Sequence, residues 1–129
     1  MLRDHNPVAT LAVKDLSAAA TFYEAKLGFS RQEGVEGGIV FTAGDGSFFL
    51  YESQYAGTNK ATALSFQVPR NQFDAEVDGL RRAGVTFETF EMEGLTWQDG
   101  VASMPEGGPR AVWFKDPDGN FLNIDEVVD

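Results

Sequence analysis

Residues 8–29, VATLAVKDLSAAATFYEAKLGF, and residues 63–85, ALSFQVPRNQFDAEVDGLRRAGV, decide the fold of this chain. Each stretch opens with a short apolar run typical of a strand and continues with apolar residues spaced at the period of an α-helix. A glycine, Gly28 or Gly84, then ends each predicted helix. The two runs begin 55 residues apart. This internal repeat predicts two similar modules that each begin with a strand and a helix.

The two predicted helices have recognisable ends. Asp15 or Ser17 can accept a hydrogen bond from the backbone at the start of the first helix. The second helix follows the turn at residues 69–71, where a proline redirects the chain. The apolar residues expected on the buried helix faces are Leu16, Ala19, Ala20, Tyr23 and Leu27 in the first helix and Phe73, Val77 and Leu80 in the second.

Each module continues into a predicted β-hairpin. In the first module, residues 39–52 carry an Asp-Gly turn at residues 43–46. In the second module, residues 111–127 carry the turn Asp-Pro-Asp-Gly at residues 116–119. The two turns lie 73 residues apart, so the second module contains about 18 more residues than the first between its helix and its hairpin.

The additional residues fall within the stretch 91–109, which is rich in glycine and carries Trp97 near its middle. This composition predicts a long surface loop. The loop either closes over a binding site or is mobile and anchored to the body by its one tryptophan.

Side chains alternate between the two faces of a strand, so parity assigns each residue to the helix side or to the opposite face. The residues expected on the helix side are Leu11, Val13, Leu64, Phe66, Val68, Leu122 and Ile124. Those expected on the opposite face are Val8, Thr10, Ala12, Ala63, Ser65, Gln67, Phe121, Asn123 and Asp125. The segment at residues 47–52, SFFLYE, leaves its register open by one residue. Matching Gly46 to Gly119 places Phe48, Leu50 and Glu52 on the opposite face.

The composition limits the function classes. The chain has 129 residues, one His, no Cys and a net charge of −10. Without Cys there is no disulfide, thiolate nucleophile or Cys-ligated metal. The negative charge repels phosphate backbones, which argues against nucleic-acid binding and favours a cationic or neutral small partner. No apolar run approaches the roughly 20 residues that span a bilayer, so we expect one soluble, cytoplasmic domain without a membrane partner.

The order of these features resembles the vicinal oxygen chelate superfamily, which includes glyoxalases, bleomycin-resistance proteins and extradiol dioxygenases. The strongest fragments are residues 13–16 (VKDL), 22–23 (FY), 27–29 (LGF) and 116–120 (DPDGN). The resemblance implies an α+β fold of two βαβββ modules, at residues 7–57 and 58–129, whose mixed sheets curl around a shared concave cavity. It also implies a homodimer.

Enzymes of this superfamily hold a divalent metal with one ligand from the first strand and one from the last strand of each module, usually His or Glu. The resemblance maps these positions onto Val8, Ala63, Asn123 and, within one residue, Leu50. Apolar side chains have no donor atoms, and a single amide is a poor anchor for a transition metal. The expectation is therefore no metal at this site and no other cofactor, with a divalent metal at an unconventional site left open.

Three residues are candidates for acid–base catalysis. His5 is the only histidine and lies three residues before Val8, although it also fits a loose surface segment. Glu52 and Asp125 occupy equivalent positions in the repeat, where two carboxylates on one cavity wall can bind a cation or act as a base. The alternative for each carboxylate is a solvated strand end.

Arg110 and several aromatic residues complete the predicted ligand site. Arg110 can clamp a carboxylate or phosphate of a ligand, or pair with one of the chain's own 20 acidic residues. Trp97, Trp113 and Phe121 are assigned to the cavity, where flat rings can stack on an aromatic ligand or face a cation. The full set predicted to bind a ligand is Leu50, Glu52, Trp97, Arg110, Trp113, Phe121, Asn123 and Asp125.

Two functions stay open at this point. The first is a small-molecule binding protein of the bleomycin-resistance type, which buries an aromatic or cationic organic ligand in a homodimer without metal. The second is a glyoxalase-like lyase or isomerase that uses carboxylate acid–base chemistry, with or without a divalent metal. The residues at the four metal positions favour the binding protein.

Overall fold

The computed structural model describes residues 1–127 of the 129-residue chain, so the last two residues of the predicted second module lie outside the described part. The elements in chain order are β1 (Ala9–Val13), α1 (Leu16–Thr21), β2 (Ser30–Arg31), β3 (Ile39–Ala43), β4 (Gly46–Glu52), β5 (Thr62–Pro69), α2 (Arg70–Arg82), β6 (Phe87–Glu88), β7 (Thr96–Gln98), β8 (Val101–Ser103), β9 (Arg110–Lys115) and β10 (Phe121–Val127). A π-helical segment, Phe22–Lys26, continues α1. No helix within residues 1–127 combines the length and apolar character that crossing a bilayer demands.

The strands form two mixed sheets built on the same plan. The first sheet has the order β1-β4-β3-β2, and the second has the order β5-β10-β9-β8-β7, with β6 also paired to β9. In each sheet the first strand of the module runs parallel to its last strand, and the last two strands form an antiparallel hairpin. This repeat confirms the predicted α+β fold of two modules. The two sheets stay separate and do not close onto each other.

The helices begin and end as their sequences predict. Asp15 caps α1, because its Oδ1 accepts a hydrogen bond of 3.0 Å from the backbone N–H of Ala18. Gly28 and Gly84 follow the two helices with φ values of 81° and 83°, a left-handed conformation that favours glycine. The face of α2 that packs on the second sheet consists of Phe73, Val77 and Leu80, all buried.

The helix sides of the two sheets share one hydrophobic core. Phe29, which follows α1, stacks on Phe66 of β5 with ring centroids 5.5 Å apart. Phe66 also meets the ring of Phe48 on β4 at 6.2 Å. The modules are therefore joined by direct aromatic contact between the helix sides of their sheets.

The predicted face of β4 is wrong. Leu11 of β1 lies opposite Leu50 of β4 in a parallel pair, which puts both side chains on the helix side, and Phe48 and Leu50 are 1% and 0% exposed. Phe49 and Tyr51 occupy the opposite face instead. The glycines used to align the hairpins are not equivalent, because β3 and β4 are joined by a two-residue turn whereas five residues join β9 and β10.

The insertion of the second module is not simply a surface loop. Residues 96–103 form the hairpin β7–β8, and β8 pairs with β9, so the hairpin extends the second sheet. Asp99 and Gly100 make its turn with φ values of 51° and 81°. Asp-Gly is a strong signal for such a two-residue turn, but strands of three residues are too short to show alternation.

A buried carboxylate ties the second module to the first. The Asp116 side chain, 5% exposed, accepts hydrogen bonds from the Tyr23 hydroxyl at 2.8 Å, the Asn120 side-chain amide at 2.8 Å, and the backbone N–H groups of Asp118 and Asn120 at 2.9 Å each. The Asn120 amide also donates to Ala12 O at 2.9 Å. Burial and the neighbouring Asp116 charge raise the pKa of Tyr23, so its hydroxyl stays protonated and continues to donate.

Replacing this carboxylate is expected to destabilise the protein strongly. Asp116→Ala leaves the Tyr23 hydroxyl and the Asn120 amide buried without their acceptor, so the free energy of unfolding should fall by roughly 2–4 kcal/mol. Urea denaturation measures this loss. Asp45→Ala, in the exposed turn of the other hairpin, is the control and should change stability by less than about 0.5 kcal/mol. Equal effects of the two substitutions would contradict a joining role for Asp116.

Candidate functional site

The candidate site lies on the face of the second sheet that points away from the helices, called the outer face below. Strand pairing places Asn123 of β10 between Trp113 of β9 and Ser65 of β5. One pair further along, Asp125 lies between Ala111 and Gln67. Side chains of directly paired residues share a face, so a polar group forms at the centre of the sheet next to aromatic side chains.

Asp125 is held by neutral hydrogen-bond donors. Its Oδ2 accepts a hydrogen bond of 2.8 Å from the Ser65 hydroxyl, and its Oδ1 accepts one of 2.7 Å from Asn123 Nδ2. None of the ion pairs formed among residues 1–127 includes Asp125, which is half-buried. The carboxylate therefore carries an uncompensated charge at a partly dehydrated position.

Asn123 offers a buried acceptor without a donor. The residue is 3% exposed, and its Oδ1 has no hydrogen-bond partner within the described chain. Leaving a buried carbonyl oxygen unpaired costs about 1–3 kcal/mol. Such groups are rare in native structures, and this one lies at the position where the superfamily's metal ligand is expected.

Three aromatic side chains pack together beside this polar group. Trp113 Nε1 donates a hydrogen bond of 3.1 Å to Thr62 Oγ1 on β5. Because β10 lies between β9 and β5, the indole must cross β10 to make this contact. Phe90 packs edge-on against Trp113 and Trp97 at centroid distances of 4.9 and 5.3 Å, and the two indoles are 6.0 Å apart. We call Phe90, Trp97 and Trp113 the aromatic cluster.

The structure brings together some of the residues predicted to bind a ligand. Trp113, Asn123 and Asp125 lie on the outer face, and Trp97 belongs to the aromatic cluster. Phe121 lies at the turn end of the same strand, where the Lys115 ammonium stands 5.1 Å from its ring centroid. The residues placed elsewhere are Leu50, Glu52, Arg110 and His5.

Glu52 and His5 have local roles outside this site. Glu52 Oε2 accepts a hydrogen bond of 3.2 Å from the backbone N–H of Leu16, so its charge lies at the N-terminus of α1. Its predicted place on a cavity wall opposite the helices is therefore wrong, for the same reason as that of Leu50. His5 lies in the exposed segment before β1 begins, where its backbone N–H donates to Leu2 O.

Arg110 pairs with acids of its own chain on the helix side of the sheet. Its guanidinium contacts Glu126 at 2.6 Å and Asp74 at 2.8 Å, and it stacks 4.5 Å from the ring centroid of Phe73. Arg70 also reaches Glu126 at 3.3 Å. Burial alone would raise the pKa of Glu126, but the hydrogen bonds and charge of Arg110 outweigh burial and hold that pKa below its ordinary value. Arg110 thus binds α2 to the sheet and is not free to clamp a ligand.

The residues present do not fit the superfamily's metal. Its four ligand positions hold Val8, Leu50, Ala63 and Asn123. In the observed register the outer-face neighbours at the β4 position are Phe49 and Tyr51, whose rings stack with centroids 6.3 Å apart. No group of three His, Asp or Glu residues within 1–127 is arranged to hold a metal ion. One amide oxygen and one carboxylate already accepting two hydrogen bonds make a poor site for a divalent transition metal.

A separate cavity of about 510 Å³ lies between the modules and was not predicted. It is bounded by the turn between β3 and β4, by β5 and by α2, and its walls include Phe29, Phe66 and Leu80. No predicted ligand-binding residue lines it. No local sequence pattern indicates this cavity, because its walls come from elements far apart in the chain.

The fold and sequence place the chain in a known family. The family model of the Glyoxalase/Bleomycin resistance protein/Dioxygenase superfamily matches residues 6–124. The chain therefore belongs to this superfamily, which confirms the resemblance to vicinal oxygen chelate proteins. A comparison with curated proteins finds no match.

Solved structures with the same fold include proteins of several named types. The fosfomycin resistance protein FosX from Listeria monocytogenes has a TM-score of 0.73 at 15% identity, over 96% of this chain and 93% of that chain. Lactoylglutathione lyase from Agrobacterium tumefaciens has a TM-score of 0.69 at 18% identity, over 95% and 92%. A glyoxalase/bleomycin resistance protein/dioxygenase from Nocardioides has a TM-score of 0.65 at 19% identity, over 97% and 86%. At these identities the likeness establishes the fold alone.

The Arg110–Glu126 pair generates a pH-dependent prediction. Glu126→Gln removes the charge but keeps the shape, and should lower the free energy of unfolding by about 1–3 kcal/mol at pH 7. Because the folded-state pKa of Glu126 is depressed, its contribution is complete above the ordinary value of 4.5 and is lost as the pH falls through the depressed value. Thermal or urea unfolding of both proteins between pH 7 and pH 3 should show the difference shrinking with acidification. A difference that is independent of pH would contradict this assignment.

Proposed function

We propose that the protein binds a small organic molecule on the outer face of its second sheet without a divalent metal. The observation that carries this proposal is the unpaired, buried Oδ1 of Asn123, whose strand neighbour is Trp113. An acceptor without a donor is stabilised by a ligand that supplies one, and indoles provide flat apolar surface for stacking. The chemistry of a recognition site is thus present where that of a metal site is absent.

The charge of the chain and the open sheet faces support two further parts of this proposal. The net charge of −10 favours a neutral or cationic aromatic ligand over an anion. The protein acts as a homodimer in the cytoplasm, in which a second copy covers the outer face and encloses the ligand. A cytoplasmic location agrees with the absence of Cys from the sequence, since a reducing compartment offers no disulfide stabilisation.

A second candidate function is an enzyme, and Asp125 is the residue that favours it. The named relatives include a lactoylglutathione lyase, and a half-buried carboxylate can act as a general base. Of the three acid–base candidates, only Asp125 lies on the outer face. Lyase or isomerase activity would therefore depend on Asp125 and would be lost in Asp125→Asn, whereas simple ligand binding yields no turnover in either protein.

Ligand binding can be followed directly, because both tryptophans of the chain belong to the aromatic cluster. We expect a screen of aromatic amines, amides and acids to give compounds that change tryptophan fluorescence. Trp97→Ala should weaken the affinity of such compounds roughly tenfold by removing a stacking surface, as measured by calorimetry. Tyr55→Ala, which removes an aromatic that is 68% exposed elsewhere, is the control and should leave affinity unchanged. Unchanged affinity in Trp97→Ala would remove Trp97 from the site.

The metal-free character is tested by titration of the purified, tag-free protein. We expect calorimetry with Zn²⁺, Ni²⁺, Mn²⁺ and Fe²⁺ to show no stoichiometric binding, because the donor set lacks the required ligands. Elemental analysis of freshly purified protein is the control for metal acquired during expression. Tight binding of one ion per chain would contradict the proposal and favour the second candidate function, an enzyme.

A further inference from the structure

The polar group at the centre of the outer face exposes more unused acceptors than donors. The Ser65 hydroxyl and Asn123 Nδ2 both donate to Asp125. Turning the Asn123 amide over would face its oxygen towards the Asp125 carboxylate, so electrostatic repulsion fixes the orientation that leaves Oδ1 unpaired. The groups closest to the buried centre of the site are acceptors, namely Asn123 Oδ1 and the remaining lone pairs of Asp125, and the nearest amide outside it is that of the exposed Gln67.

The charge at this position is negative and is not neutralised by a neighbour. Lys115, on the same face of β9, stands over the Phe121 ring and lies 4.0 Å from Glu88. The ion pairs among residues 1–127 leave Asp125 without a cation. A partly buried carboxylate in this state attracts a cation and repels an anion.

The Trp113 indole crosses β10 next to Asn123 and is held by one polar contact. That contact is the hydrogen bond from Nε1 to Thr62 Oγ1, and Thr62 is exposed. Because the Asn123 Oδ1 is buried, a ligand reaches it only when a neighbouring side chain moves aside, and we assign this movement to the indole. A flat head group fits beneath the indole with the smallest displacement of the indole from its present position. A flat cation also gains a favourable cation–π interaction when it faces the ring.

We infer that the ligand carries an amidinium or guanidinium group joined to an aromatic ring. This inference rests on the proposed function and names the ligand class for the same site. One N–H donates to Asn123 Oδ1, a second faces the Asp125 carboxylate, and the aromatic part packs against Trp113 and Trp97. The indole exchanges its hydrogen bond to Thr62 for contact with the cation.

Three probes of the same shape and different charge test the inference. Benzamidine is the cation, benzamide the neutral analogue and benzoate the anion, and calorimetry together with tryptophan fluorescence measures their affinities for the full-length protein. We expect benzamidine to bind at least about tenfold more tightly than benzamide, and benzoate not to bind. Affinity for benzamidine should also fall as salt is added.

Variants identify the residues responsible for this preference. Asp125→Asn should reduce the preference for benzamidine over benzamide to less than about twofold. Asp78→Asn changes the net charge equally on α2, where Asp78 pairs with Arg81, and should leave the preference intact. Thr62→Val removes the hydrogen bond that holds the indole. It should raise benzamidine affinity about two- to fivefold, because the indole is moved aside in a larger fraction of the molecules. This gain cannot arise from a variant that merely fails to fold.

The outcomes separate the inference from the proposed function. If benzamide or benzoate binds as tightly as benzamidine, or if Asp125→Asn keeps the preference, the ligand class is wrong while small-molecule binding stands. If neither these probes nor any compound of the aromatic screen changes tryptophan fluorescence, the proposed function itself fails. A preference for the cation that depends on Asp125, together with a benzamidine affinity that increases in Thr62→Val, supports both.

Discussion

The placement of the two modules relative to each other depends on the buried carboxylate of Asp116. Asp116 collects four hydrogen bonds, from the Tyr23 hydroxyl of the first module and from Asn120 and Asp118 of its own turn. Asn120 then donates to Ala12 O on β1. These bonds hold the start of β10 beside the edge of the first sheet. The positions of Asn123 and Asp125, a few residues along the same strand, are set by this anchorage. The turn that shapes the hairpin is thus also the link that places the candidate site.

The two faces of each sheet have different roles, and this difference explains why the candidate site is polar and lies on the outer face. The helix sides are filled by aromatic and aliphatic packing that joins the modules, and Arg110 and Glu126 are used there to hold α2. Apart from the cavity between the modules, the outer face remains for function. On it, a carboxylate without a cation and a carbonyl oxygen without a donor lie beside a strand that carries a hydrogen-bonded indole. These groups accept hydrogen bonds and therefore favour a partner that supplies donors. They are too few to hold a divalent transition metal.

Much of the fold follows from local sequence, and much of the site does not. The cap at Asp15, the helix faces and the alternation of β10 are local patterns, and each is found as predicted. The face of β4 is decided by its parallel pairing with β1, since an all-apolar strand carries no alternation of its own. Partners distant in sequence likewise decide the roles of Glu52 and Arg110. The family resemblance singled out Asn123 as a former ligand position, but only the packing shows that its oxygen is unpaired.

Binding of a small aromatic ligand to the outer face without metal can be seen at the two indoles. The side-chain N–H resonances of Trp97 and Trp113 in ¹⁵N-labelled protein are followed while the tightest-binding compound of the aromatic screen is added in the presence of EDTA. The Trp113 signal is expected to shift saturably, because its hydrogen bond to Thr62 is broken, with a smaller shift for Trp97. Unmoved indole signals, together with shifts of Phe29 and Phe66 around the cavity between the modules, would contradict binding at the outer face.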